Sequence, residues 1–379
     1  MLSSDWLAKD QLYRHSVDMR QFIDFRQSTL PSGARHIAAY NASGLSFSLL
    51  PDRGLDVWAA HYRGIPLTWL SLGSPHPPAA GQNWLRAFNG GLVTTCGLRH
   101  AGAPEVDAQT GEELPLHGIY HRSRAYDIAT SGGWTSDANG DTGDDYALEL
   151  TATIPEARLS GEQLVLTRTV RLPLSRPSFT ITDHVVNQGW TSEPLMVLYH
   201  VNLGYPAVRA GAALDTPHAA IYPRDEPAWA GFEAWPVYGE PAMQYDEQVY
   251  FHHLNADANG QTRIALVQSG FGFEIAWDSA TLPYFTQWKN TRYRTYVCGL
   301  EPGNCIPEGV SAARDAGRLV ILEPGDEQRF SVTFSVLDGT DAVAGSRAKI
   351  ASLRESGTPI AGCTLDDYVD EYADDDADD

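Results

Sequence analysis

The chain has 379 residues, a formal net charge of -21 at pH 7 and 43% hydrophobic residues, a composition typical of a globular protein. Because nucleic acids and anionic membranes bind clusters of cations, the acidic charge argues against both as partners. No apolar run is long enough to span a bilayer, and Met1 to Asp10 lacks the apolar core of a secretory signal, so a cytoplasmic location is expected.

From Gly33 onward, the sequence consists of short apolar or alternating runs separated by Gly, Pro, Asn and Asp. The first two runs, Gly44 to Leu50 and Leu55 to Tyr62, flank a Pro-Asp-Arg-Gly turn and predict a hairpin or meander. Further strands are predicted at residues 90–97, 147–154, 164–172, 178–187, 195–199, 264–268, 272–277, 295–300, 318–322 and 328–336. Many short strands with turns between them indicate stacked antiparallel sheets and hence an all-β fold.

Helical periodicity is scarce and is confined to the two ends of the chain. The best helical segments are Trp6 to Leu12 and Ala342 to Glu355. The stretch Thr68 to Asn89 is rich in Pro, Gly, Trp and His, which favours a loop over a site rather than a linker. Asp137 to Asp145 is acidic, contains two glycines and predicts a hairpin tip.

No composition shift or Pro/Ser-rich linker divides the chain. We therefore predict a single domain over residues 1–365, with an N-terminal extension over about residues 1–32. The acidic residues 366–379 repel one another and are predicted to form a disordered tail.

The four cysteines lack the C-x-x-C spacing of zinc sites and redox motifs. They are Cys96, Cys298, Cys305 and Cys363. We expect reduced, buried thiols, and we regard a nucleophilic role for Cys96 or Cys298 as the alternative.

One carboxylate and one histidine close apolar strands about a hundred residues apart in sequence. Glu301 lies where the predicted strand Thr295 to Leu300 meets a Pro-Gly turn. Partial desolvation there raises the pKa of a carboxyl group and suits it to act as a base near neutral pH. His200 closes the upstream strand, so acid and base are expected to share one sheet face.

Three motifs resemble those of galactose mutarotase (aldose 1-epimerase). Leu116-His117-Gly118 resembles its L-H-G motif, the run His200 to Leu203 resembles its histidine and asparagine run, and Gly299 to Asn304 resembles its C-L-E-P-Q-N segment. Their order and spacing agree over about residues 35–340. The match is best to a bacterial aldose 1-epimerase-like branch, marked by runs such as Gly91 to Leu98.

The resemblance implies a β-supersandwich of the galactose mutarotase type, mainly antiparallel and with few short helices. It also implies that Glu301 is the general base, His200 the general acid and His117 a histidine that orients the substrate. Ring opening requires a base at the anomeric hydroxyl and an acid at the ring oxygen, so neither a metal nor a cofactor is expected. The expected partner is a small carbohydrate.

Further substrate-binding residues are predicted beside these motifs: Arg99, His100, Asn202, Asp246, Trp288 and Lys289. The arginine and the aspartate of the resembled family have no clear counterparts. Arg99 is the nearest arginine in order, with Arg53 and Arg86 as alternatives, and Asp246 is the candidate aspartate. Trp288 offers an aromatic face to a pyranose, and Lys289 beside it offers a donor to a hydroxyl or an anion.

Two other functions remain open at this point. An aldose-ketose isomerase or epimerase on the same fold would recruit a metal if at least three of His100, His117, His121 and Glu301 converged. A protein that binds sugar without turnover is the second alternative. The chain is expected to be a monomer or a homodimer.

Overall fold

The structure of the protein, a computed structural model, describes residues 4–73, 75–78, 83–136 and 142–355. The strands of the first half of these residues are β1 (Asp24–Thr29), β2 (Arg35–Tyr40), β3 (Leu45–Leu50), β4 (Asp56–Tyr62), β5 (Ile65–Pro66), β6 (Val93–Cys96), β7 (Glu105–Val106), β8 (Glu113–Leu114), β9 (Tyr126–Ser136), β10 (Thr142–Ala157), β11 (Gln163–Pro173) and β12 (Ser178–Asn187). Those of the second half are β13 (Glu193–Leu195), β14 (Leu198–Leu203), β15 (Ala213–Asp215), β16 (His218–Pro223), β17 (Gln248–Leu254), β18 (Gln261–Gln268), β19 (Phe271–Asp278), β20 (Tyr284–Arg292), β21 (Thr295–Gly303), β22 (Val320–Leu322) and β23 (Glu327–Asp338).

The helices are short, apart from the last. They are α1 (Lys9–His15), α2 (Trp84–Ala87), α3 (Glu226–Ala230), α4 (Val310–Asp315) and α5 (Thr340–Arg354), with 3-10 helices at Ser4–Leu7, Met19–Gln21, Tyr120–Arg122 and Phe232–Ala234. The helical prediction is confirmed at both ends of the chain, since α1 and α5 overlap the predicted segments. No helix among the residues described is long and apolar enough to cross a membrane.

Two large antiparallel sheets form the fold. The first has eleven strands in the order β1-β2-β3-β4-β6-β14-β21-β20-β17-β16, with β5 paired to β4. The second has eight strands in the order β15-β18-β19-β23-β12-β11-β10-β9. Two small pairs, β13 with β22 and β7 with β8, complete the described pairing. The predicted all-β, mainly antiparallel fold is confirmed.

The main core lies between the two sheets. Strand β11 alternates buried and half-buried residues along its whole length, as expected of a strand with one face against a core. Phe47 of the first sheet packs on Phe179 of the second, with ring centroids 4.6 Å apart, and Phe179 stacks on Phe334 at 4.7 Å. Burial of each such side chain contributes roughly 1.5–3 kcal/mol to folding.

The predicted turns and cysteines are largely as expected. Strands β3 and β4 pair around the Pro-Asp-Arg-Gly turn, which confirms the first hairpin. The predicted tip lies between the paired strands β9 and β10, although residues 137–141 are outside the described part of the chain. Cys96, Cys298 and Cys305 are free and buried, and Cys363 lies outside the described residues. The predicted N-terminal extension contains β1, which forms an edge of the first sheet.

Candidate active site

His200 and Glu301 lie side by side on adjacent central strands of the first sheet. The register of β14 and β21 pairs Val201 with Leu300 and Asn202 with Gly299, which sets His200 opposite Glu301. Val201 and Leu300 belong to the core, so the alternation of side chains turns His200 and Glu301 to the other face. The His200 Nε2 and Glu301 Oε1 atoms are 3.3 Å apart. The two residues are only 6% and 4% exposed, so they form an imidazole-carboxyl pair shielded from water.

Threonines extend this pair into a row across four strands. Thr94 of β6 is paired with His200, and Thr286 of β20 is paired with Glu301. Both threonines are buried, and the Thr286 Oγ1 atom has no hydrogen-bond partner among the described residues. The row Thr94, His200, Glu301, Thr286 is called the catalytic row below.

Burial shifts the pKa values of the two ionisable groups in this row in opposite directions. Burial raises the pKa of Glu301 from 4.5 to about 8 and lowers the pKa of His200 from 6.5 to about 3. The neighbouring His117 lowers the pKa of His200 further. Because each neutral form is favoured, the pair holds a single proton over most of the pH range between these values.

His117 approaches this pair from the L-H-G turn. Its backbone has a φ of 55°, and the following Gly118 has a φ of 72°. A Cβ atom on Gly118 would lie 2.4 Å from the carbonyl oxygen of Gly97, so only glycine fits there. The His117 ring centroid lies 6.3 Å from that of His200, and burial lowers the pKa of His117 to about 4. The turn therefore brings a second neutral imidazole to the pair.

Aromatic rings enclose the histidines. The indole of Trp84 in α2 lies 4.9 Å from the His117 ring and 6.1 Å from the His200 ring, measured between centroids. Phe88 stacks on Trp84 at 4.4 Å and lies 5.8 Å from His200. Trp288 of β20 meets His200 edge-on at 5.5 Å. The predicted loop over a site thus packs Trp84 and Phe88 against these histidines.

A glycine and a charged rim shape the other side of the pair. A Cβ atom on Gly299 would lie 2.9 Å from the Trp288 Cβ atom and 3.1 Å from the Glu301 Oε1 atom, so glycine makes room for both side chains. The Trp288 indole NH donates to Glu247 at 2.8 Å, and Arg224 lies 3.5 Å from the same carboxylate. Glu247 therefore holds Trp288 beside Glu301.

Buried polar atoms without hydrogen-bond partners concentrate around the catalytic row. Among the described residues they include Arg53 Nη1, Trp58 Nε1, His117 Nδ1, both ring nitrogens of His121, His200 Nδ1, Asn202 Oδ1 and Thr286 Oγ1. Buried polar groups are almost always hydrogen-bonded to protein or to water. These atoms are therefore available to bond water or a polar ligand.

Comparison with known proteins decides the family. A family model described as a domain of unknown function (DUF4432) matches residues 31–336. The chain belongs to the DUF4432 family. None of the curated proteins searched matches the sequence.

Several solved structures with the same fold are named as aldose 1-epimerases or galactose mutarotase-like proteins. A "putative aldose 1-epimerase" from Klebsiella pneumoniae has 25% sequence identity and a TM-score of 0.79, with 96% of this chain and 95% of that chain covered. A galactose mutarotase-like protein from Clostridium acetobutylicum has 14% identity and a TM-score of 0.57, with 84% and 99% covered. A galactose 1-epimerase from Lactobacillus acidophilus has 15% identity and a TM-score of 0.50, with 84% and 99% covered. This DUF4432 protein therefore has the galactose mutarotase fold.

The structure places Arg99 and His100 outside the catalytic row. The Arg99 guanidinium pairs with Glu112 at 3.0 Å and with Glu193 at 2.8 Å. His100 is buried, and its Nε2 atom lies 2.8 Å from the carbonyl oxygen of Ala103. Both residues line a separate cavity of about 690 Å³ together with Glu112 and the buried Glu156.

Lys289 points away from the catalytic row, because side chains alternate along a strand. The Lys289 Nζ atom donates to the carbonyl oxygens of Ala234 and Val237 at 2.6 and 2.8 Å, on the face opposite Trp288. Asp246 is exposed just before β17, and its neighbour Glu247 is the carboxylate that reaches Trp288.

Asn202 lies on the same face as His200 and is fully buried. Its Nδ2 atom donates to the carbonyl oxygens of Gly91 and His200 at 3.1 and 2.9 Å. Its unpaired Oδ1 atom is left near the pair. Asn202 therefore ties β14 to the segment that leads into β6, on the same face of the sheet as His200.

The sequence motifs did not reveal several residues of the site. Glu247 and Arg224 were missed, although the alternation of Glu247, Val249 and Phe251 along one strand face carried a signal for Glu247. Arg53 was one of two alternatives for the missing arginine, and His121 was named as a possible metal ligand but not as a residue that binds the sugar. In the described part of the chain, no group of three or more His, Cys, Asp or Glu side chains is placed to hold a metal ion. The convergence that the metal-assisted alternative requires is thus not found there.

Proposed function

We propose that the protein is a carbohydrate epimerase of the mutarotase type, which interconverts the anomers of a sugar by acid-base ring opening. The observation that carries this proposal is the buried His200–Glu301 pair, with its 3.3 Å contact and its oppositely shifted pKa values. The family membership and the shared fold support it.

The pair matches the geometry of the reaction. The anomeric hydroxyl and the ring oxygen of a pyranose are both bonded to C1, so a base and an acid that lie side by side can reach both oxygens. In the free pair the single proton lies on Glu301, whose pKa is the higher of the two. Transfer of this proton to His200 across the 3.3 Å contact leaves a Glu301 carboxylate, which removes the hydroxyl proton of O1 while His200 donates its proton to O5. The C1–O5 bond breaks, and the electron pair of the O1–H bond forms the aldehyde carbonyl.

Ring closure reverses these transfers on the other face of C1. After rotation about the C1–C2 bond, Glu301 returns its proton to the carbonyl oxygen and His200 takes the proton from the O5 hydroxyl. The enzyme ends with the same single proton on the pair, so the cycle needs no external acid or base. His117 supplies an NH donor that orients the sugar, and Trp84 and Trp288 cover its apolar faces.

The proposal is tested by proton NMR of single-anomer sugars freshly dissolved in heavy water. The wild type is expected to accelerate equilibration of the anomers, and Glu301→Gln is expected to abolish the acceleration. Glu156→Gln is the matched control, because Glu156 is equally buried and burial raises its pKa to about 7, but it lines the separate cavity.

Other outcomes of the same experiment would contradict the proposal. Exchange of the C2 proton for deuterium would indicate the isomerase alternative, since a mutarotase leaves that bond intact. An equal loss of activity in both variants would mean that Glu301 acts only through the fold. Binding of a sugar with no acceleration would favour the non-catalytic alternative.

A further inference from the structure

A small enclosed cavity lies beside the catalytic row, beneath α2. Its polar and aromatic lining includes Arg53, Asp56, Trp58, Trp84, Asn89, Thr94 and His121. Its volume is about 20 Å³, enough for about one water molecule. Thr94 belongs both to this lining and to the catalytic row, so the cavity adjoins the proposed reaction centre.

The polar atoms that face this region are unpaired donors for the most part. Arg53 Nη1, Trp58 Nε1 and both nitrogens of His121 are buried and lack hydrogen-bond partners among the described residues. Burial lowers the pKa of His121 to about 3, so its ring is neutral and offers one donor and one acceptor. Among the atoms without a partner, three donors and one acceptor favour a ligand group that only accepts hydrogen bonds, since Asp56 in the same lining is already bonded to Thr95 and Arg168.

Arg53 also brings a buried positive charge to this cavity. It is 5% exposed, and its Nη2 atom donates to the carbonyl oxygen of Ala87 at 2.7 Å. Its Nη1 atom has no hydrogen-bond partner among the described residues, and Asp56 in the same lining acts on the guanidinium through space. The oxygens of the nearby Asp56 accept hydrogen bonds from Thr95 and Arg168 instead. A buried guanidinium with a free NH group is complementary to a carboxylate or a phosphate.

Trp84 connects this cavity to the catalytic pair. Its ring centroid lies 6.4 Å from that of His121 and 6.1 Å from that of His200, so a single side chain separates the two histidines. Because the cavity is smaller than a carboxylate, the rings of Trp84 and Phe88 must shift when such a group enters. A sugar held at His200 and Glu301 would then reach Arg53 with a substituent of its ring.

We propose that Arg53, Trp58 and His121 bind an oxyanion carried by the substrate, so that the enzyme acts on acidic sugars such as uronates or sugar phosphates. This inference rests on the proposed function, because it assigns a substrate class to the same site.

The test compares anomerisation rates of galacturonate, glucose 6-phosphate, galactose and glucose. We expect kcat/KM of the wild type to be at least about tenfold higher for one of the anions than for its neutral analogue. Arg53→Met should lower this anion-to-neutral ratio by about 10- to 100-fold, the usual effect of a lost hydrogen bond to a charged group. Arg53→Lys should retain part of the ratio, which a purely structural role of Arg53 would not predict.

Arg171→Met is the control, since Arg171 carries the same charge but lies 41% exposed on β11 of the second sheet. Its anion-to-neutral ratio should equal that of the wild type. Equal rates for anions and neutral sugars, or a ratio that Arg53→Met leaves unchanged, would overturn the inference while leaving the proposed function intact. The preferred anion then distinguishes carboxylate from phosphate.

Failure of the proposed function gives a different pattern, because no sugar would be accelerated. In that case calorimetric binding of galacturonate and of glucose 6-phosphate decides the inference separately. Binding of either anion by the wild type and its loss in Arg53→Met would support the oxyanion site. Absence of binding to both anions would overturn it.

Discussion

The imidazole of His200 and the carboxyl group of Glu301 determine how the proposed activity depends on pH. Either group in water would titrate between pH 4 and 7, but burial moves the two pKa values apart, to about 3 and about 8. The reactive form contains one proton on the pair. At low pH a second proton binds to the pair and occupies the base. At high pH the pair loses its only proton and has no acid.

We therefore predict a broad pH plateau for kcat/KM. The value should stay level from about pH 4 to 7 and should fall about tenfold per pH unit above pH 8, where the pair loses its proton. Rates of anomerisation, corrected for the uncatalysed reaction at each pH, measure this profile. A decline that begins near pH 6.5 would show that His200 titrates as an ordinary exposed histidine.

Glu301→Gln should also stabilise the folded protein. The folded pKa of Glu301, about 8, lies above its ordinary value of 4.5, so the wild type loses stability as the pH rises between these values. Glutamine does not ionise, and the gain should therefore be small at pH 5 and on the order of 5 kcal/mol at pH 9. Urea unfolding at both pH values checks this, and a gain that does not grow with pH would contradict the burial of an ionising carboxyl group.

Arg168 links strands of the two sheets through buried ion pairs and hydrogen bonds. Its guanidinium, fully buried, lies 2.7 Å from Asp183 of β12 and 2.7 Å from Asp56 of β4. It also donates to Thr95 of β6 at 2.9 Å, and Tyr199 of β14 donates to Asp183 at 2.7 Å. This network fixes the first sheet against the second beneath the catalytic row.

Arg168→Met should destabilise the protein by about 3–5 kcal/mol, because it leaves two buried carboxylates without a counterion. Arg171→Met on the same strand is the control, since Arg171 and its partner Glu149 are 41% and 43% exposed and the change should cost less than about 0.5 kcal/mol. Denaturant midpoints at pH 7 compare the two variants. Equal midpoints would show that the Arg168 network does not hold the sheets together.

Helix α2 limits the access of water to His117 and His200. Trp84→Ala removes the ring that packs on His117 and His200, so water should reach both imidazoles. Since burial is the largest cause of their low pKa values, both should rise toward 6.5.

NMR titration of the histidine Cε1 protons measures these shifts. Trp190→Ala is the control, because Trp190 is 61% exposed, and it should leave both values unchanged. Low pKa values that persist in Trp84→Ala would mean that α2 does not shield the pair.

At the scale of the whole molecule, the local signals in the sequence predicted more of the fold than of the site. Alternation along β11 and β12 and the turn residues between strands predicted an antiparallel all-β fold, because these signals lie within a few residues of one another. The order of strands could not be predicted in this way, since β14 pairs with β6 and β21, which lie far from it in sequence.

The same limit explains the outcome for the predicted site residues. The pairing of His200 with Glu301 followed from motifs on two strands, but the partners of Arg99 are Glu112 and Glu193, which no local pattern associates with it. The opposite orientation of Lys289 could have been predicted, because a residue next to Trp288 on a strand faces the other side of the sheet.

The central claim is that His200 and Glu301 act as one acid-base unit, and a double-mutant cycle on sugar anomerisation tests it most directly. His200→Asn and Glu301→Gln should each lower kcat/KM by about 10²- to 10⁴-fold, and the double variant should lose no more than the worse single variant. Losses that multiply in the double variant would show two independent residues. A wild-type rate in either single variant would contradict the account.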